Sequence, residues 1–179
     1  MYTCARRVGT GLIVAIGIAI GTAGSIRAAD NQVEFPRDLG VLYAILDRAE
    51  DVRELDSSGQ LRELYVNQAA LDAAIAGRPL PYGTVLVRAR YDVLRDAKGA
   101  PAKDENGRLT KTKLLGLGVM EKRAGWGREH PAGEWEYQAF APDGTRNAQP
   151  AASACFNCHS KVQAQDFVFS VDMMKATKR

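Results

Sequence analysis

Apolar residues recur at short spacing in five stretches of the chain: LYAILD (42–47), LRELYV (61–66), TVLVRARYDVL (84–94), LLGLGVM (114–120) and EWEYQAF (134–140). These stretches are rich in β-branched, leucine and aromatic residues. Turn signals stand between and after them: DSSG at 56–59, PYG at 81–83 and PDG at 142–144. The pattern predicts strands, and their order predicts an antiparallel sheet. Helices are fewer. QAALDAAIA places Leu71 and Ile75 four apart on one face, with Asn67 positioned to cap it and Gly77 to end it. A second helix is expected from Ala151 to Gln163. Between Arg95 and Thr112 the chain is charged and has no apolar cluster, so a solvated loop or an extended hairpin is expected. Neither an internal repeat nor a domain linker is evident. The expected fold class is therefore α+β: a mainly antiparallel β-sheet packed with a few helices in one domain.

The first 29 residues follow a different pattern. Arg6 and Arg7 precede GLIVAIGIAIG, and AGSIRAAD follows it. A positive start, a short apolar run and an Ala-containing cleavage region predict a signal peptide over 1–29, cleaved near Ala28 or Ala29. Residues 30–179 would then form the mature domain, in the periplasm. The alternative is a retained anchor, since Val8 to Ile26 carries no charge. Glycines and threonines dilute that run, whereas a spanning helix needs about 20 predominantly apolar residues. Arg6-Arg7 alone is weak evidence for a twin-arginine route.

Processing changes the charge balance. The full chain of 179 residues has 24 Lys plus Arg against 21 Asp plus Glu, a net charge of +3. Loss of Arg6, Arg7 and Arg27 leaves 21 of each. No long basic run remains, so no nucleic-acid partner is expected. The 25% charged and 7% aromatic shares are ordinary globular usage, unlike a disordered or multi-span chain. A mature length of about 150 residues buries enough surface to need no disulfide staple.

Cys4 leaves with the export segment, and the mature chain keeps only Cys155 and Cys158. With His159 they read Cys-Phe-Asn-Cys-His, the C-x-x-C-H pattern of c-type haem attachment. Two thiols on one turn can each add to a haem vinyl group, and the adjoining imidazole then reaches the iron. A thioredoxin-like pair would normally open a helix after a strand, and this motif lies near the C-terminus. A structural zinc site needs four ligands, for which only His130 could supplement these three. A disulfide would leave His159 without a role. The pattern thus predicts one haem c, held by thioethers to Cys155 and Cys158, with His159 as the metal ligand. Candidates for the second axial position are few. His130 lies in GREHPAGEW, a polar turn; Met120 reads as core; Met173 and Met174 lie near a basic tail. A five-coordinate iron with an open face is expected, fit for ligand binding or catalysis. A six-coordinate electron carrier using Met120 or His130 is the alternative.

The order RELYVN-QAALDAAIAGRPLPYGTVLV, LLGLGVMEK, GWG, WEYQAFAPDGT, CFNCH and DFVFS resembles the cytochrome P-460 family, from about Val33 to Val171. YVN, P-x-G-T-V, GWG and C-x-x-C-H followed by DFVF carry the resemblance. It implies an antiparallel sheet with helices, one c-type haem, a periplasmic setting and often a homodimer. Its best-known members oxidise hydroxylamine, with a partner cytochrome as the redox partner. Relatives called cytochrome c-prime-beta mainly bind nitric oxide or carbon monoxide. Hydroxylamine-oxidising members also carry a lysine cross-linked to the haem, which the resemblance places on the strand after P-x-G-T-V. Here that strand has Arg88 and Arg90 and no lysine. A guanidinium stays protonated and is a poor nucleophile. Arg88 is therefore expected to bind the cofactor, and Lys111, Lys113 and Lys122 are fallback cross-link candidates, otherwise solvated charges at strand ends. The resemblance matches Arg62 to an arginine on the open side of the haem. It would donate to a nitrogen oxide or a propionate, or else pair with Glu63. Glu136, Tyr137 and Phe140 could line the same face, with Glu136 as the proton acceptor. Strand alternation sends Glu136 and Tyr137 opposite ways. Trp126 and Trp135 read as core anchors.

Overall fold

The fold was obtained as a computed structural model, which describes residues 32–47, 55, 58–126, 133–148 and 151–177. The segment 1–29, expected to direct export, and His130 lie outside the described residues. In chain order the elements are α1 (Leu39–Leu42), β1 (Tyr43–Asp47), β2 (Leu61–Asn67), α2 (Gln68–Ile75), β3 (Val85–Val93), β4 (Lys111–Lys122) and β5 (Trp135–Phe140). Then come α3 (Ala151–His159), a 3-10 helix (Ser160–Gln165) and α4 (Val171–Ala176). The five strands form one antiparallel sheet in the order β1-β2-β3-β4-β5, so chain neighbours are sheet neighbours. This is the α+β architecture expected from the pattern.

Alternation gives the sheet two unlike faces. On one, Val66, Leu86, Met120 and Tyr137 stand in register across β2 to β5. They pack with Ala70, Leu71 and Ala74 of α2, Phe156 of α3 and Met174 of α4 in the larger core. Trp135 belongs to this core and is fully buried; truncating such a residue to alanine typically costs about 3–5 kcal/mol. On the other face Tyr65, Val87, Ala89, Leu117, Val119 and Phe140 pack with Val33, and Phe35 and Leu39 lie at the margin. Trp126 is half-buried there, with the Arg123 guanidinium 4.5 Å from its ring centre.

Two local expectations change. Asn67 stands at the N-cap of α2 in an extended conformation, yet its side chain makes no cap bond. Its Nδ2 donates to the Gly83 carbonyl at 2.8 Å, and its Oδ1 accepts the Val85 N–H at 3.0 Å, tying the β2–α2 junction to the start of β3. The helix expected over 151–163 ends at His159 and tightens into the 3-10 segment, where Val162 leaves helical geometry (φ −118°, ψ 35°). Residues 94–110 do not extend the β3–β4 hairpin; after Val93↔Lys111 the ladder gives way to two exposed turns, closed by the isolated bridges Arg95↔Pro101 and Lys103↔Leu109. Asp96 Oδ1 accepts the N–H groups of Lys98 and Ala100, and Asp104 Oδ1 those of Asn106 and Arg108.

Candidate haem site

Helical spacing puts Cys155 and His159 four residues apart, on one side of α3. Between the cysteines and the sheet, Phe156 anchors the helix. It is buried, and its ring meets Tyr137 edge-on with centroids 5.0 Å apart. Cys155 is half-buried, Cys158 is exposed, and neither is in a disulfide. The His159 ring lies 4.9 Å from Tyr137 and 5.1 Å from Phe169, and its Nδ1 is 2.7 Å from the Phe167 carbonyl oxygen. A carbonyl only accepts, so Nδ1 carries the proton and donates, leaving the Nε2 lone pair for a metal. Burial lowers the His159 pKa; the Phe167 carbonyl opposes this and the Arg88 charge adds to it. The imidazole is thus neutral at neutral pH, the form that ligates. Burial pushes the Cys155 thiol up, against the Arg88 charge.

Beside this cluster the sheet face is bare. The next row along is Leu64, Arg88, Gly118 and Ala139, and the one after it Arg62, Arg90 and Gly116. A Cβ built at Gly118 meets nothing within 4 Å. At Gly116 (φ +153°) a Cβ would come within 2.7 Å of the Phe140 carbonyl oxygen and 3.2 Å of the Arg90 guanidinium, so Arg90 already covers that end. Arg88 is exposed, and its charge acts at both Cys155 and His159. The Tyr137 hydroxyl is buried with no hydrogen-bond partner among the described residues, and burial holds its proton on firmly. Two free thiols, a neutral imidazole with a fixed tautomer, an open small-residue floor and a cationic rim fit a haem. The thiols and imidazole suit the vinyl groups and iron, and the guanidiniums suit the propionates. Among the described residues, no group of three His, Cys, Asp or Glu side chains is placed to hold a metal ion.

The structure brings Arg62 and Arg88 to this face and leaves others of the expected residues elsewhere. Glu136 and Phe140 project from the opposite face, because β5 sends Trp135 and Tyr137 toward the helices. The proposed proton acceptor therefore does not face His159. Glu63 points away from Arg62; it is buried under the sheet, with Lys111 Nζ 2.6 Å from its Oε1 and the Tyr65 hydroxyl donating to Oε2 at 2.6 Å. Lys122 is no solvated strand-end charge. Its side chain is 14% exposed and its Nζ lies 2.6 Å from Asp166 Oδ2. Lys113 is exposed. Met120 and Met174 are core residues, and Met173 is exposed. Two parts of the site went unread in the sequence: the Phe167 carbonyl and the glycine floor. The glycines had a signal, since Gly in a strand interior marks close backbone approach.

No curated protein matches the chain. The family model described as Cytochrome P460 matches residues 42–170, a span that takes in every strand of the sheet and the C-x-x-C-H motif. The chain therefore belongs to the cytochrome P460 family and is a haem cytochrome.

Proposed function

We propose that this cytochrome carries one haem c through thioethers to Cys155 and Cys158, with His159 as proximal ligand, and binds a small nitrogen oxide such as nitric oxide on the open side. The observation that carries the reading is the 2.7 Å contact of His159 Nδ1 with the Phe167 carbonyl, which leaves the Nε2 lone pair available to the haem iron. When bound, the haem supplies the iron that takes the ligand and exchanges the electron. The guanidiniums of Arg62 and Arg88 can donate to a nitrogen oxide or a propionate. Tyr137 and Phe156 pack apolar surface around the His159 side of the site.

Hydroxylamine oxidation, with electrons passing to a partner cytochrome, is the second reading. The observation that ranks it lower is that β3 directs Arg88 and Arg90 at this face, neither of which is a nucleophile. Export to the periplasm and a homodimeric state rest on the leader pattern and the family resemblance. A reduced and carbon monoxide-bound absorption spectrum of the mature protein tests the open iron face; failure to bind carbon monoxide would favour a six-coordinate carrier. His159→Ala is expected to lose the proximal ligand, and the Cys155→Ala/Cys158→Ala pair to lose covalent haem. Haem that survives denaturation in that pair refutes the attachment. Turnover of hydroxylamine with a dye acceptor would promote the second reading.

A further inference from the structure

The carbonyl that orients His159 sits on an unusual piece of backbone. Asp166 and Phe167 are consecutive non-glycine residues with φ of 54° and 62°, in the left-handed region that side chains disfavour. Backbone hydrogen bonds close the turn: Asp166 N–H to Gln163 O at 3.0 Å, Phe167 N–H to Val162 O at 3.1 Å and Val168 N–H to Gln165 O at 3.1 Å. Such strain persists only where the surroundings over-determine it. Two contacts do so here. The Phe167 ring fills the space beside Gly133, where a Cβ would meet it at 2.8 Å. Lys122 Nζ reaches Asp166 Oδ2 at 2.6 Å and the Leu80 carbonyl at 3.1 Å. The ammonium also lies 5.8 Å from the Trp135 ring centre and 5.9 Å from that of Tyr82.

Lys122 is itself well fixed. It ends β4, its N–H donates to Thr84 O at 2.9 Å, and its carbonyl accepts from Gly83 N–H at 2.7 Å. The largely buried ammonium therefore connects a rigid strand end to the turn, and the turn to the imidazole.

We propose that Lys122 and Asp166 are positioning residues for His159: their ion pair pins the left-handed turn so that the Phe167 carbonyl holds the imidazole in its Nδ1–H tautomer. The proposal rests on the reading of His159 as the iron ligand. A firm Nδ1–H···O bond makes Nε2 a stronger donor, and a stronger donor stabilises ferric iron. Loosening the turn weakens that bond without touching the haem-attaching thiols.

The test uses the haem-loaded mature protein with Lys122→Met, Lys122→Arg, Asp166→Asn and Asp166→Gly. Readouts are covalent haem content, reduction potential, and the iron–histidine stretching frequency of the ferrous form by resonance Raman. Lys122→Met and Asp166→Asn are expected to keep covalent haem, raise the potential and lower the stretching frequency. Lys122→Arg, which retains the charge, should restore both signatures. Asp166→Gly loses the carboxylate but accepts the left-handed conformation, so it keeps the fold testable and should shift in the same direction by less than Asp166→Asn. A Lys122→Met protein that melts earlier yet keeps the wild-type potential and frequency would reduce the pair to a structural brace and overturn the proposal. Wild-type protein without covalent haem would overturn the haem reading and this proposal with it, an outcome distinguishable because it precedes any variant.

Discussion

Gly118→Val separates the needs of the polypeptide from those of its cofactor. The residue lies in the interior of β4 between Arg88 and Ala139, its φ is not left-handed, and a Cβ there meets nothing within 4 Å. For the haem-free chain the change is favourable. Removing a strand glycine recovers about 0.5–1 kcal/mol of backbone entropy, and valine suits a pleated strand on a scale spanning about 1 kcal/mol. The sum is roughly 1 kcal/mol, or about 2–4 °C in Tm for a domain of this size. For a chain that lays a flat cofactor on this row, the same carbons intrude, and overpacking of this kind costs about 1–3 kcal/mol. That corresponds to roughly 5- to 150-fold weaker holding. The assay combines thermal melting of the haem-free protein with hemin titration, both in the Cys155→Ala/Cys158→Ala background so that the equilibrium is not hidden by thioethers. The signs should be opposite: higher Tm, weaker hemin. Hemin Kd equal to that of the parent would refute the assignment of this row as the cofactor floor.

Three further outcomes are expected. Gly116→Ala should destabilise by about 1–3 kcal/mol in urea, since its φ of +153° and a Cβ 2.7 Å from the Phe140 carbonyl both oppose a side chain; an unchanged midpoint would contradict the geometry. Lys111→Met removes the ammonium that lies 2.6 Å from the Glu63 carboxylate, which is 3% exposed. Because the Lys111 side chain is 47% exposed, solvent screening reduces the loss to about 1–2 kcal/mol from the roughly 3–5 kcal/mol of a fully buried pair, as chemical denaturation would read. Tyr65 has its pKa raised above the usual 10.0 by burial first and then by its bond to Glu63. The unfolded chain therefore loses this proton before the folded one, so stability is intact below pH 10 and falls as pH rises beyond it. Alkaline unfolding followed by tyrosinate absorbance should be cooperative, and Tyr65→Phe should shift its onset to higher pH; gradual ionisation without unfolding would contradict this.

The strands were legible because their apolar residues alternate against a two-faced sheet, and the C-x-x-C-H motif because its spacing is fixed. Arg62 and Arg88, singled out by the family resemblance, share the sheet face that carries Tyr137. Glu136 does not, and parity states that Glu136 and Tyr137 differ but not which of them faces the helices; the docking of Phe156 on Tyr137 decides that, and it lies in long-range packing. Asn67 was misjudged because a capping residue can be taken by a stronger distant offer, here the backbone at Gly83 and Val85. Lys122 looked like an exposed strand end because its partner, Asp166, lies 44 residues away. The left-handed turn at Asp166–Phe167 had no signal, since neither residue is the glycine that such a conformation normally selects.

The meander order has a bearing on how the protein is assembled. Every strand pairs with its predecessor in the chain, so no strand pairing waits on a segment from the far end of the sequence. All five strands also precede Cys155. The platform and its glycine floor can thus take shape while the thiols are still on an undocked tail, and α3 then folds back onto a surface already prepared. If Cys155 and Cys158 take the haem as proposed, their attachment would come after the sheet and use it as a template.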